Sequence, residues 1–237
     1  MSGLILAIPE IAERTGRKVI VVGGLAVVCR LIHPYRATSD LDTVNRRRDD
    51  EPAQLELLVS SGADPSGVSG VLVPTSAGPV QVDVLEVTDA DLAPLPDDPT
   101  DRLHVLSHAW AAASATPVIL RAPGTADLTV EVAEPGPIIA MKLQSVMNRG
   151  SAKEGTDLLD IIQLCLDPSA GPVLRRQLAN ADAQIRADAA RHAQRWFFDH
   201  ADRSLRRISG IPEGRDVELD DLHLVNELLQ PVLLGTE

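Results

Sequence analysis

VIVVGGLAVVCRLIHPYRATSDLDTV, residues 19–44, is the stretch on which the fold turns. Lys18 to Val22 reads as a buried strand, Gly23 and Gly24 as a tight turn, and Leu25 to Ile32 as an apolar helix. A polar connection leads to a second strand carrying Asp40-Leu41-Asp42. Side chains alternate along a strand, so Asp40 and Asp42 point one way while Leu41 points to a core. Two adjacent carboxylates repel one another unless a cation sits between them. Hard oxygen ligands of this kind suit Mg²⁺, or Mn²⁺ in its place, which keeps waters and shares its site with substrate phosphates. A glycine pair at a strand-to-helix turn lets backbone N–H groups approach a phosphate at a helix N-terminus. Together the two features point to nucleotidyl transfer from a nucleoside triphosphate.

Val80 to Val87 alternates cleanly, with Val80, Val82 and Val84 on one face and Gln81, Asp83 and Leu85 on the other. An Asp inside such a strand either faces solvent from an edge or needs a partner. Glu86 falls on the apolar side near the strand's end. Glu134-Pro135-Gly136-Pro137 breaks the chain. After it, Ile138 to Arg149 reads as a helix in which Lys142 stands among apolar neighbours. Arg149, Lys153 and the run Asp157-Leu158-Leu159-Asp160 follow.

Gly23-Gly24, then Arg36, Thr38, Asp40 and Asp42, resembles the glycine pair and Asp-x-Asp signature of the DNA polymerase β-like nucleotidyltransferases. RATSDLD, residues 36–42, resembles in particular the AbiE-type (abortive infection) nucleotidyltransferase toxins, which include the MenT-like toxins. Lys142, a basic turn and the helix with Asp157 follow in the order these enzymes keep. The resemblance therefore spans residues 19 to about 165 in three patches. The family more often has Lys directly before the first Asp of the last patch; here Glu154-Gly155-Thr156 separates Lys153 from Asp157.

The resemblance implies a third carboxylate on a neighbouring strand, for which Asp83 is the candidate. Asp40, Asp42 and Asp83 would then hold two metal ions. Gly23 and Gly24 would meet phosphates through their N–H groups, Thr38 would add a hydroxyl donor from the Asp40 face, and Arg36 would contact or position the phosphates. Lys142 would neutralise phosphate charge, and Asp157 would orient Lys142 or act as a base near the acceptor. The implied acceptor is tRNA, modified at its 3′ end, with growth arrest as the outcome and a co-encoded antitoxin protein as partner.

The chain has 237 residues, 44% of them hydrophobic, enough for a sizeable core. Two Trp, one Tyr and two Phe leave that core aliphatic and argue against a base-stacking single-strand binder. The expected class is α/β (α+β): a nucleotidyltransferase mixed sheet flanked by helices in residues 1–134, then a helical bundle in 135–237. The net charge of −12 is uneven: −9 over residues 1–140, +3 over 141–210 and −6 over 211–237. The middle segment is where RNA would dock. The acidity also suits a second enzymatic reading, an antibiotic nucleotidyltransferase acting on a small cationic substrate such as an aminoglycoside or lincosamide. A reading from another class is a non-catalytic binding module with the same fold. Cys29 and Cys165 read as buried reduced thiols, and no Cys/His metal cluster occurs. No apolar run reaches membrane-spanning length, and no basic region precedes Leu4 to Ile8, so a cytoplasmic protein without membrane contact is expected.

Elsewhere, helices are expected over Ile8 to Arg17, Pro52 to Gly62, Arg102 to Ala115, Leu174 to Arg207 and Glu218 to Leu234. Strands are expected over Val71 to Val73, Pro117 to Arg121 and Leu128 to Ala133. Asn45 to Asp50 and Asp91 to Thr100 read as loops, with Arg46-Arg47-Arg48 either solvated or gripping phosphate. His104 and His108 share a helical face. The arginines between Arg186 and Arg207 form either a salt-bridged helix face or an RNA-docking surface.

Overall fold

The computed structural model describes residues 2–147 and 151–235. The chain divides into two compact units. One comprises Met1–Cys29, Arg36–Pro94 and His108–Glu134, and the other Arg30–Tyr35, Leu95–Ser107 and Pro135–Glu237. In chain order the elements up to residue 132 are α1 (Ser2–Thr15), β1 (Ile20–Val21), α2 (Gly23–Arg30), β2 (Leu41–Arg47), α3 (Gln54–Ser60), β3 (Asp64–Ser66), β4 (Gly70–Val73), β5 (Val80–Thr88), α4 (Asp89–Leu92), α5 (Pro99–Ser114), β6 (Thr116–Leu120) and β7 (Leu128–Val132). The strands form one mixed sheet in the order β3-β4-β5-β2-β1-β7-β6. The pairs β2–β5 and β1–β7 are parallel, and the others antiparallel. A mixed sheet flanked by helices is what the sequence leads one to expect.

Register explains how the sheet sorts its residues. Leu41 lies beside Val82, Val71 beside Val82, and Val73 beside Val80. Register partners share a face, so these side chains make one apolar surface. Leu41, Val71, Val73 and Val82 are fully buried there. Helix α1 and helix α3 pack on this surface, with Gly3 against Val80 and Leu58 fully buried. Each such Leu or Val contributes about 2 kcal/mol over an exposed one. Asp42 and Asp83 are also register partners. They emerge from the opposite face of the sheet.

Several expectations are corrected. The first helix starts at Ser2 rather than Ile8 and continues through Pro9. Pro9 removes one helical hydrogen bond at a cost of about 3 kcal/mol. Burial of Leu4, Ile5, Ala7, Ile8 and Ile11 outweighs it. Strand β1 has two residues instead of five, and α2 begins at Gly23 and ends at Arg30. Strand β2 runs on through Arg47 because seven consecutive residues pair with β5, so Asn45 to Arg47 are not loop. Strand β3, with its Asp-Pro-Ser sequence of low strand preference, forms because β4 supplies the pairing. Asp89–Leu92 and the start of α5 at Pro99 interrupt the expected loop over 91–100.

In the helical unit, α6 (Pro135–Ser145), α7 (Ser151–Leu166), α8 (Ala170–Ala179), α9 (Ala183–Gln194), α10 (Ala201–Ile208) and α11 (Leu219–Leu234) pack on one another. Helix α6 is buried from Pro135 through Gln144. Pro135-Gly136-Pro137 opens this helix rather than breaking the chain, because first-turn N–H groups have no helical partner to lose. The Gly136 N–H donates to Gln177 Oε1 at 2.8 Å instead. The long helix expected over 174–207 is three helices joined in part by a π-helical turn, Arg195–Asp199. Asp167 caps the start of α8 by accepting from Ser169 and Ala170, and Asp182 caps α9 by accepting from Gln184. The π turn places Trp196 and Phe197 both in the core, where the Ser204 hydroxyl accounts for the Trp196 carbonyl at 2.7 Å. Arg149 lies outside the described residues.

Candidate metal centre

Asp42 sits where β1 ends beside β2. The Val22 N–H donates to the Asp42 carbonyl at 3.0 Å, closing the pairing. The next residue, Gly23, has φ +61°. L side chains avoid that region at a cost of about 1–2 kcal/mol. Space excludes them as well: a Cβ on Gly23 would lie 1.8 Å from Asp42 Oδ2. A Cβ on Gly24 would lie 2.8 Å from Thr38 Oγ1 and 3.1 Å from an Arg36 guanidinium nitrogen. The glycine pair therefore gives room to three site residues, a role that the sequence reading, which assigned it to phosphates, did not see.

Asp40 lies one residue before β2. The Thr38 hydroxyl donates to its Oδ1 at 2.9 Å. Asp83 comes from β5, and Gln81 Nε2 donates to its Oδ1 at 2.9 Å. Asp40, Asp42 and Asp83 each offer a carboxylate oxygen, and these atoms all lie within 4.8 Å of one another. All three residues are half-buried. At that spacing each pair of carboxylates repels by roughly 3 kcal/mol at the effective dielectric of a partly buried site. The hydrogen bonds from Thr38 and Gln81 return about 1 kcal/mol each. A divalent cation between them would offset the remainder. Three hard oxygens with no nitrogen or sulfur fit Mg²⁺ or Mn²⁺ by donor chemistry. Among the described residues, this trio is the group of His, Cys, Asp and Glu side chains with metal-holding geometry.

Thus Gly23, Gly24, Arg36, Thr38, Asp40, Asp42 and Asp83 come together in the sheet unit. Lys142 and Asp157 are paired in the helical unit. Lys142 Nζ donates to Asp157 Oδ1 at 2.6 Å and contacts Asp160 Oδ2 at 2.7 Å. Ser145 donates to Asp157 Oδ2 at 3.0 Å, and the Tyr35 hydroxyl donates to Asp160. Burial pushes the Lys142 ammonium toward neutrality, but the charges and hydrogen bonds of Asp157 and Asp160 more than offset this and raise its pKa above the usual lysine value. Asp160 and Tyr35 were not assigned from sequence. The three-residue spacing of Asp157 and Asp160 on one helix face was the available signal.

Other candidates have partners of a structural kind. Glu86 accepts from Asn45 Nδ2 and the Gln54 N–H, and Arg17 approaches it at 3.8 Å. Arg46 pairs with Asp89, and Arg47 donates to the Glu51 carbonyl. His104 meets Gln144. On the arginine face, Arg203 and Arg207 hold the buried Glu154, and Arg191 reaches Asp188. Arg195 and Arg203 both lie over the Trp196 ring, with guanidinium carbons 5.4 and 5.6 Å from its centre. A groove of about 440 Å³ lies between α3 and the β3–β4 turn, lined by Leu55, Val59, Pro65, Val68 and Gly70 among others. None of the three aspartates lines it. No helix in the described residues is long and apolar enough to cross a membrane. No protein-family model matches this chain, and no curated protein matches it.

Proposed function

We propose that this chain is a metal-dependent nucleotidyltransferase that moves a nucleoside monophosphate from a nucleoside triphosphate to an RNA acceptor, the 3′ end of tRNA, and so arrests growth. The observation that supports this is the convergence of Asp40, Asp42 and Asp83 beside Gly23-Gly24. Mg²⁺ bound by such carboxylates lowers the pKa of an attacking hydroxyl and stabilises a leaving oxygen. The chain's own contributions are separate from that. Asp40, Asp42 and Asp83 would hold the ion. Gly23 and Gly24, at the start of α2, would turn N–H groups toward phosphate oxygens. Arg36, over Gly24, and Thr38, bonded to Asp40, position the triphosphate. Assignment of Lys142 to the phosphates, and of Asp157 to orienting Lys142 or acting as a base near the acceptor, rests on the resemblance to AbiE-type toxins; the C-terminal helices would be the bundle of such an enzyme. The same resemblance supplies the antitoxin partner; a cytoplasmic setting is proposed from the sequence, which has no membrane-spanning apolar run.

A second reading has a specific observation in its favour. Arg191, Arg203 and Arg207 are bound to Asp188 and Glu154, which reduces the charge left for RNA. With a net charge of −12, a cationic aminoglycoside or lincosamide acceptor fits. Incubation with α-labelled nucleoside triphosphates, total tRNA and an antibiotic panel separates the readings. The expected result is label on tRNA, lost at least about 100-fold in Asp42→Ala. Label on an antibiotic favours the second reading. No label on any acceptor leaves a binding module with this fold.

A further inference from the structure

Gln81 and Gly70 adjoin Asp83, and neither serves as a metal ligand or a phosphate contact in the proposed reaction. Gln81 precedes Asp83 by two positions on β5 and so shares its face. Its amide donates to Asp83 Oδ1 at 2.9 Å, which restrains rotation of the carboxylate and leaves Oδ2 without that constraint. Thr38 holds Asp40 Oδ1 at the same distance. Both donors are neutral, so each orients a carboxylate without cancelling the charge that a cation needs. A lysine in place of Gln81 would cancel it, and a glutamate would repel Asp83.

Gly70 is the register partner of Asp83 on β4. A Cβ on Gly70 would stand 2.3 Å from Gln81 Nε2, 2.6 Å from Asp83 Oδ1 and 2.5 Å from the Ser66 carbonyl oxygen. Such a group would displace the two side chains only at the loss of their bond, and the Ser66 backbone, paired in β3, cannot swing away. Glycine at 70 is therefore the condition under which the Gln81–Asp83 pair exists. We infer that Gln81 is a positioning residue of the metal centre, aligning Asp83 through its amide in space that Gly70 leaves open. This rests on the nucleotidyltransferase reading of the aspartates.

The test is Mn²⁺ binding to the full chain, followed by electron paramagnetic resonance, for wild type, Asp42→Ala, Gln81→Met and Gln81→Asn. Methionine keeps the length and removes the donor; asparagine keeps the amide and shortens its reach. Residues that orient a metal ligand are worth about tenfold or more in affinity. Both Gln81 variants are expected to bind Mn²⁺ about tenfold more weakly, with metal-free melting temperatures within about 3 °C of wild type. A purely structural role would lower the melting temperature and spare the affinity. Wild-type affinity in either Gln81 variant, with binding lost in Asp42→Ala, overturns the inference and leaves the metal reading standing. No binding by wild type, or unchanged binding in Asp42→Ala, overturns both.

Discussion

Gly23 carries the strictest steric demand around the three aspartates. Both its positive φ and the 1.8 Å approach of Asp42 Oδ2 to the place of a Cβ exclude any other residue. Gly23→Ala is expected to lower stability by about 1–2 kcal/mol from backbone strain alone. Asp42 must also move, so Mn²⁺ affinity should fall at least about tenfold. Urea unfolding and a Mn²⁺ titration check the two effects separately, and unchanged affinity would show that Asp42 does not ligate from this position. Lys142 is a different case, a buried cation between two buried carboxylates. Lys142→Met strands Asp157 and Asp160 and should cost about 3–5 kcal/mol. Because the folded-state pKa of Lys142 lies above 10.5, its contribution is whole below pH 10.5 and fades as pH rises through the folded value. The gap in urea midpoint between wild type and Lys142→Met should therefore be constant from pH 7 to 9 and shrink above 10.5.

At the scale of elements, the ties between segments are ionic as well as apolar. Arg102 on α5 grips Asp188 on α9 through two bonds of 2.8 Å, and Asp188 is fully buried. Arg191 and Gln184 touch the same carboxylate only at 3.4 and 3.1 Å. Arg102→Ala is expected to destabilise by about 2–3 kcal/mol, since it leaves a buried carboxylate poorly compensated. A urea midpoint equal to wild type would show that Arg191 swings in to replace it. The alternation of β5 was legible in residues 80–87, because a strand's facing is a property of the strand alone. That Asp42 would lie in register beside Asp83 was not legible: a strand's sequence states which side each residue takes, but not which strand becomes its neighbour. The first turns of α1 were not legible either: they are held by burial of Leu4, Ile5 and Ala7, and the strands that α1 packs on, β4 and β5, lie far along the chain.

For the whole molecule, the two cysteines report on opening of the fold. Cys165 is buried and its thiol is pushed up to about 12, chiefly by desolvation. Cys29 is half-buried. With a thiol reagent at pH 8, one equivalent should react readily and the second only at the rate of unfolding. Two fast equivalents would show that the helical unit opens far more often than its packing suggests. Arg30–Tyr35 and Leu95–Ser107 belong with the C-terminal helices, where the Ile32 N–H donates to Asp167 and Arg102 reaches Asp188. Nothing local in those segments announces this. Residue order alone was enough for the class of fold, the alternating strand and the presence of an acidic pair beside two glycines, since each depends on neighbours within a few positions. The choice of strand partners, the meeting of Asp83 with Asp40 and Asp42, and the enclosure of Lys142 by a second carboxylate were decided by packing. Those contacts span up to 43 positions from Asp40 to Asp83 and 18 from Lys142 to Asp160, and burial of the apolar face, not local preference, selects among the pairings that such separations allow.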